Sequence, residues 1–253
     1  LRGVSEAIST IIIAGTVIMV SLTVFYYSLV NLQQATLSTE YGYIRSVFLG
    51  LADSFPDIIE GGSYGARIPS RMVGVGYINL TDTTIRLVVM NGSNVLINYS
   101  DTPMALHAST YASLIVNERI VYGRDDLVVN ETSLIPFIRE YYSEGATHLV
   151  FDTARFYVKI YEYDTNGEHV YMINLIYVKT TVKILSSKPV QLTVSLGANI
   201  LSNRLAGITD LRLIKIRGGA TEVVDLSDLI PNPVPGSTYV ANIVVKEVVM
   251  VLT

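Results

Sequence analysis

ISTIIIAGTVIMVSLTVFYYSLV, residues 8–30, decides how the rest of this chain is read. It holds no charged residue, and the uncharged run extends from Ala7 to Thr39. A helix of this length covers the roughly 30 Å of hydrocarbon in a bilayer. The β-branched Ile, Val and Thr lower helix propensity in water. In lipid or among packed helices the backbone must satisfy its own hydrogen bonds, and a helix does that within one segment. Ser5 stands where an N-cap is expected, and Glu6 follows in the first turn, where the helix dipole favours a carboxylate. Ile8, Ile11, Ile12, Ile13, Val17, Ile18, Val20, Leu22, Val24, Phe25 and Leu29 give the helix an apolar surface on every side. The small residues Ser9, Ala14, Gly15, Ser21 and Ser28 let other helices approach closely.

Beyond Val30 the pattern narrows to a stripe. Leu37, Tyr41, Ile44, Phe48, Leu51 and Phe55 recur at alternating steps of four and three, with Thr39, Glu40, Arg45 and Asp53 between them. That is an amphipathic helix with one apolar side. Pro56 ends it, because proline disfavours helix in the residue before it and cannot donate. The reading is therefore one helix from about Glu6 to Ser54, with residues 1–55 as an N-terminal helical segment long enough to cross a membrane and residues 56–253 as an outer domain. Leu37, Tyr41, Ile44, Phe48 and Leu51 are expected to dock the helix onto that domain, while the first half needs partners from elsewhere.

After Pro56 the pattern is that of strands. Residues 84–100 read as a hairpin around Asn91-Gly92, a pair that accepts the positive φ of tight turns. Residues 156–179 read as a longer hairpin turning at Asn166-Gly167. Further strands are expected at 72–79, 114–122, 190–196, 211–217 and 239–252, and a short helix at 133–143 despite Pro136. Pro231 to Gly236 is a loop. The last strand is so apolar that its edges require cover. The fold class is α+β: a long N-terminal hydrophobic helix followed by an antiparallel all-β, sandwich-like (Ig-like) domain.

Composition narrows the function. Of 253 residues, 50% are apolar and 16% charged, which excludes a disordered chain. The net charge of −4 argues against a nucleic-acid partner held by phosphate neutralisation. With no cysteine there is no disulfide framework, thiol nucleophile or thiolate metal site. His107, His148 and His169 lack the short spacing that puts two ligands on one metal, and each reads as an exposed strand or loop residue. Asp125-Asp126 reads as a solvated turn, since no calcium-loop pattern surrounds it. Gly74-Val-Gly76 and Gly218-Gly219 lack the strand–helix setting of a phosphate cradle. Arg67, Arg71, Lys183, Lys215 and Arg217 are dispersed along the chain. Gly61-Gly62-Ser63-Tyr64-Gly65 has the G-x-S-x-G form of a nucleophile elbow, but Pro69 spoils a following helix and a glycine-rich loop accounts for the same residues. No catalytic residue, metal or cofactor is expected. Four N-x-S/T sequons, at Asn79, Asn91, Asn98 and Asn130, cluster in the first half of the outer domain as glycosylation candidates.

The opening LRGVSEAISTIIIAGTVIMV resembles that of archaeal type IV pilin-like proteins, the superfamily that includes archaellins. The likeness rests on Arg2-Gly3, Glu6, the uncharged run and the strand-rich remainder, and it covers roughly residues 1–55. It implies a short basic leader removed by a prepilin-type peptidase, in keeping with a first residue, Leu1, that is not Met. Arg2-Gly3 also fits the end of such a leader, with Val4 as the mature start. The resemblance further implies a subunit held in the cytoplasmic membrane before assembly. Pilus assembly machinery would then build it into an extracellular homopolymer that adheres to surfaces or other cells. Glu6 would pair with an α-amino group, its own or a neighbour's, or with Arg2. The Gly, Ile and Thr run that often opens archaellin helices is missing, which favours an adhesion pilus over a rotary filament. Two other readings remain: a singly anchored membrane protein whose β domain binds a ligand outside the cell, and a membrane-tethered hydrolase using Ser63.

Overall fold

The computed structural model describes residues 2–68, 72–165 and 167–253, with side chains from Ser9 onward. A single helix, α1, runs Arg2–Asp53, about 78 Å at 1.5 Å per residue. It starts earlier than the capping pattern suggests, so Ser5 and Glu6 lie inside the helix and not at its cap. Pro56 falls in the first turn of a second, short helix, α2 (Phe55–Ile59), where its missing N–H costs nothing. The chain forms two compact units, one ending at Tyr43 and one from Ile44 to Thr253, so the second takes in the last turns of α1.

That second unit is built from strands. In order they are β1 (Ser63–Arg67), β2 (Gly74–Asn79), β3 (Thr83–Asn91), β4 (Asn94–Asp101), β5 (Met104–Thr110), β6 (Arg119–Tyr122), β7 (Val128–Val129), β8 (Phe137–Ser143) and β9 (Ala146–Asp152). There follow β10 (Phe156–Thr165), β11 (Glu168–Ile184), β12 (Gln191–Ala206), β13 (Asp210–Arg217), β14 (Ala220–Asp225), the one-turn helix α3 (Leu226–Leu229) and β15 (Thr238–Leu252). They make three sheets: a central one ordered β1-β12-β15-β11-β10-β7, a four-stranded one ordered β14-β13-β3-β4, and a five-stranded one ordered β2-β5-β9-β8-β6.

The central sheet serves both others. In β11, after Val170, the buried side chains are first the odd ones, Tyr171, Ile173, Leu175 and Tyr177, and then the even ones, Val178, Thr180 and Val182. Its neighbour β15 changes in the same way, from Ala241, Ile243 and Val245 to Val248, Met250 and Leu252. The two strands keep an unbroken register across the change, Tyr177 beside Val245 and Val178 beside Lys246. Successive strand side chains point to opposite faces, so the sheet is buried on one face along half its length and on the other along the rest. The first half packs on Ile85, Leu87 and Val89 of β3 and Leu211 and Leu213 of β13. In the second half β5 lies against β11, where the Val182 amide donates to Met104 Sδ at 3.2 Å and the Thr153 and Thr180 hydroxyls bond at 2.7 Å.

The end of α1 closes the five-stranded sheet. Ile44, Phe48, Leu51 and Phe55 are wholly buried. Phe48 meets the Phe151 ring of β9 edge-on at 6.3 Å between centroids, and Phe55 meets it at 6.0 Å. Glu140 of β8 is also wholly buried, with Arg45 Nε at 2.7 Å and Arg119 Nε at 2.6 Å from its two oxygens. A buried carboxylate needs such partners, because desolvation alone would cost several kcal/mol. Leu37 and Tyr41 belong to the first unit.

Several expectations are corrected. Residues 133–143 are not a helix. Only Thr132–Leu134 forms a turn of 3₁₀ helix, and Phe137–Ser143 is strand β8, since Pro136 and the alternation of Phe137, Arg139 and Tyr141 suit an extended chain. Strand β6 covers only Arg119–Tyr122 of the expected 114–122, and Ser63 begins a strand and not a loop. The sheets are mostly antiparallel, but β11 and β15 pair in parallel over Val170–Ile184, as do β7 and β10. The α+β class holds, a long apolar helix followed by a mostly antiparallel, sandwich-like β domain, with three sheets where an immunoglobulin sandwich has two. Both expected hairpins form; Gly92 takes φ 58° in the first, and Asn166 of the second lies outside the described residues.

Replacing Phe48 by Ala opens a cavity against Phe151 and should cost about 3–5 kcal/mol. Thermal melting of the full chain in detergent, followed by the far-ultraviolet β signal, should shift down by about 10 °C.

Candidate assembly surface

Among the described residues, no other stretch is as apolar and as uncovered as the first half of α1. Ile11 is 70% exposed, Phe25 67% and Leu32 68%, and Ile12, Ile13, Val17, Ile18, Val20, Leu22, Val24 and Leu29 are exposed with them. The segment is long and apolar enough to cross a membrane. Side chains of Arg2, Glu6 and Ile8, assigned from sequence to the assembly charge and the apolar helix, lie outside the described residues.

Four threonines of this helix bond back to its own backbone. Thr16 donates to the Ile12 carbonyl at 2.8 Å, Thr23 to Met19 at 2.9 Å, Thr36 to Leu32 at 2.8 Å and Thr39 to Ala35 at 2.9 Å. Each hydroxyl is thus satisfied by the turn before it, and an apolar neighbour strands no donor. Ala14, Ser21, Ser28 and Ala35 recur at every seventh residue, which keeps them close to one line along the helix.

The four sequon asparagines are all exposed. Asn79 ends β2, Asn91 ends β3, Asn98 lies on β4 and Asn130 follows β7.

Sequence spacing missed two clusters. His107 of β5 and His148 of β9 are brought together by strand pairing, with Nε2 to Nδ1 at 2.9 Å. Because a carbonyl only accepts, His148 Nε2–H donates to the Ser143 oxygen at 3.2 Å, which leaves Nδ1 to accept from His107 Nε2–H. Tyr141 stacks on His148 at 4.8 Å, and the Arg139 guanidinium lies over Tyr141 at 5.2 Å. Burial first, and the charge of His148 second, lower the His107 pKa to about 4. These histidines are a bonded pair and not separate exposed residues. His169 bonds Asp164 at 2.7 Å near the tip of the β10–β11 hairpin.

The other cluster centres on Asp125, which is exposed as expected but is held by three cations and not merely solvated. Lys215 Nζ lies 2.9 Å and Arg155 Nη2 3.3 Å from Oδ1, and Arg217 Nη1 lies 3.2 Å from Oδ2. Partial burial works to raise the Asp125 pKa, but the hydrogen bond and charge of Lys215 and the charges of Arg155 and Arg217 hold it below the usual carboxylate value. Arg155 is fully buried, stacks over Phe137 at 4.4 Å and donates to the Arg124 carbonyl at 2.8 Å. The group pins the corner between β9 and β10 to β13. Lys215 and Arg217, far from Asp125 in sequence, meet there.

Ser63 starts β1 and pairs with Ser195 of β12; helix α2 precedes it and a strand follows, the reverse of the order in a nucleophile elbow. Among the described residues no group of three or more His, Asp or Glu is placed to hold a metal ion.

The histidine pair makes stability pH-dependent. A lowered folded-state pKa means that the unfolded chain takes up the proton first. The contribution is complete above about pH 6.5 and is lost as pH falls towards 4. Denaturant midpoints of wild type and His107→Gln, compared from pH 7 to pH 4, should show the flatter profile in the variant.

The chain matches no protein-family model, no curated protein and no solved structure.

Proposed function

We propose that this chain is the structural subunit of an extracellular helical filament, an adhesion fibre of the type IV pilin-like kind, which self-assembles through the first half of α1. One observation supports the reading above the rest: an uncharged helical surface on which the large side chains from Ile11 to Leu29 remain exposed in the single chain. An apolar surface of that extent needs a cover. Lipid provides it before assembly, and the same helix of neighbouring subunits provides it afterwards. Transfer between two apolar surroundings has little hydrophobic driving force. The preference for the filament therefore comes from dispersion contacts, small per atom and large in sum, with the line of Ala14, Ser21, Ser28 and Ala35 allowing close approach. Glycans on Asn79, Asn91, Asn98 and Asn130 would face solvent on the outer domain, beside the surfaces or cells to which the fibre adheres.

Negative-stain microscopy of the purified full chain tests the proposal. Filaments are expected; uniform detergent-bound particles would favour instead a singly anchored β domain that binds a ligand outside the cell.

Ile13→Lys should abolish filaments while the β signal of the outer domain persists, because a lysine among packed helices has no partner for its charge. Intact-mass measurement of material from the native host should exceed the 27.8 kDa of the bare polypeptide by the mass of up to four glycans.

A further inference from the structure

The central sheet ends on both sides in strands whose outer edges are only partly used. On one side, β1 covers β12 from Gln191 to Ser195 and no further. After a bulge between Leu196 and Leu201, β12 returns to regular pairing with β15 over residues 201–206, and its other edge is open there. On the far side of the sheet, β7 covers β10 only at Phe156 and Tyr157, leaving residues 159–165 open. Among the described residues, no backbone hydrogen bond from another element reaches either open edge.

The two edges match. β12 runs antiparallel to β15, β15 runs parallel to β11, and β10 runs antiparallel to β11, so β10 and β12 point the same way. Their apolar side chains also agree in face. Leu201 and Leu205 at one edge and Ile160 at the other are half-buried and all line the core shared with the four-stranded sheet. On the opposite face, Arg204 stands at one edge and the exposed Tyr161 and Tyr163 at the other. Residues 201–206 carry only Arg204, a light guard for an edge open over this length, whereas residues 159–165 carry Lys159, Glu162 and Asp164.

We infer that these edges pair between copies of this chain, β12 of one subunit adding in parallel to β10 of the next. A copy moved sideways across the sheet and roughly four residues along the strands sets residues 201–206 beside the open 160–165, extends the apolar layer from Leu201 onto Ile160, and brings Arg204 beside the Tyr163 ring, since Lys159 already lies over Tyr161. The contact joins two different patches on copies related by translation and not by a closing rotation, so it propagates as a fibre. The inference rests on the filament reading and adds to it a contact between outer domains, formed by main-chain hydrogen bonds.

Hydrogen exchange of the full chain, compared between filaments and detergent-dispersed subunits, tests it. Amides in residues 201–206 and 159–165 should exchange at least roughly tenfold more slowly in the filament. Because the chain has no cysteine, disulfide trapping has no background. Ser202→Cys combined in turn with Lys159→Cys, Tyr161→Cys or Tyr163→Cys scans the register. At least one pair should give a ladder of covalent multimers on oxidation, while the single variants give none beyond a dimer. Filaments that show neither protection nor a ladder overturn edge pairing and leave the filament reading standing; a chain that forms no filaments and no ladder overturns both.

Discussion

A strand shows successive side chains to opposite faces, and the outer domain is organised by what β11 and β15 do with that constraint. Without losing register they exchange the buried face midway, between Tyr177 and Val178 on one strand and between Val245 and Val248 on the other. One sheet therefore supports two cores, the four-stranded sheet packing on its first half and the five-stranded sheet with the end of α1 on its second. The parallel pairing belongs to the same arrangement. Parallel strands need a long crossover, and here the intervening chain supplies β12 on the far edge of β15 and β13 and β14 in the four-stranded sheet.

Charge is buried where the layers meet. Glu140 lies between Arg45 of α1 and Arg119 of β6, and Arg155 joins the β9–β10 corner to Asp125 and through it to Lys215 and Arg217. Asp101 does the same between β4 and β11: it accepts from the wholly buried Tyr177 hydroxyl at 2.8 Å and lies 3.2 Å from Lys179 Nζ. Burial, and then the Asp101 charge, push the Tyr177 pKa well up, so that hydroxyl remains a donor. Such groups add less to stability than their contact distances suggest, because each was taken out of water. Their geometry is demanding, however, and a layer that slipped by one residue would leave Glu140 or Asp101 without its cation.

The helix was legible because an uncharged run of that length, if it is to satisfy its own backbone, suits a long helix better than any set of strands. The two hairpins were legible because Asn91-Gly92 and Asn166-Gly167 interrupt clean alternation. The change of face in β15 could be read in the same way: its apolar residues shift phase around Lys246-Glu247, the charged pair inside the strand. β5 and β9 were not legible, since His107, Ser109, Thr147 and His148 dilute their apolar pattern and only tertiary pairing makes them strands. The histidine pair and the Asp125 group were hidden for a related reason. Spacing along the chain reveals sites made within one element, whereas these are made by pairing and packing of residues far apart in sequence.

Thr16, Thr23, Thr36 and Thr39 of α1 return their hydroxyls to the helix's own carbonyls. Around Thr16 and Thr23 such a helix presents a lipid tail and an isoleucine with the same request, since neither has to offer those hydroxyls a donor or an acceptor. Polarity then cannot sort its neighbours, and what distinguishes one neighbour from another is the relief of the surface: where a small side chain leaves a groove, and where an isoleucine or a phenylalanine stands up to fill one.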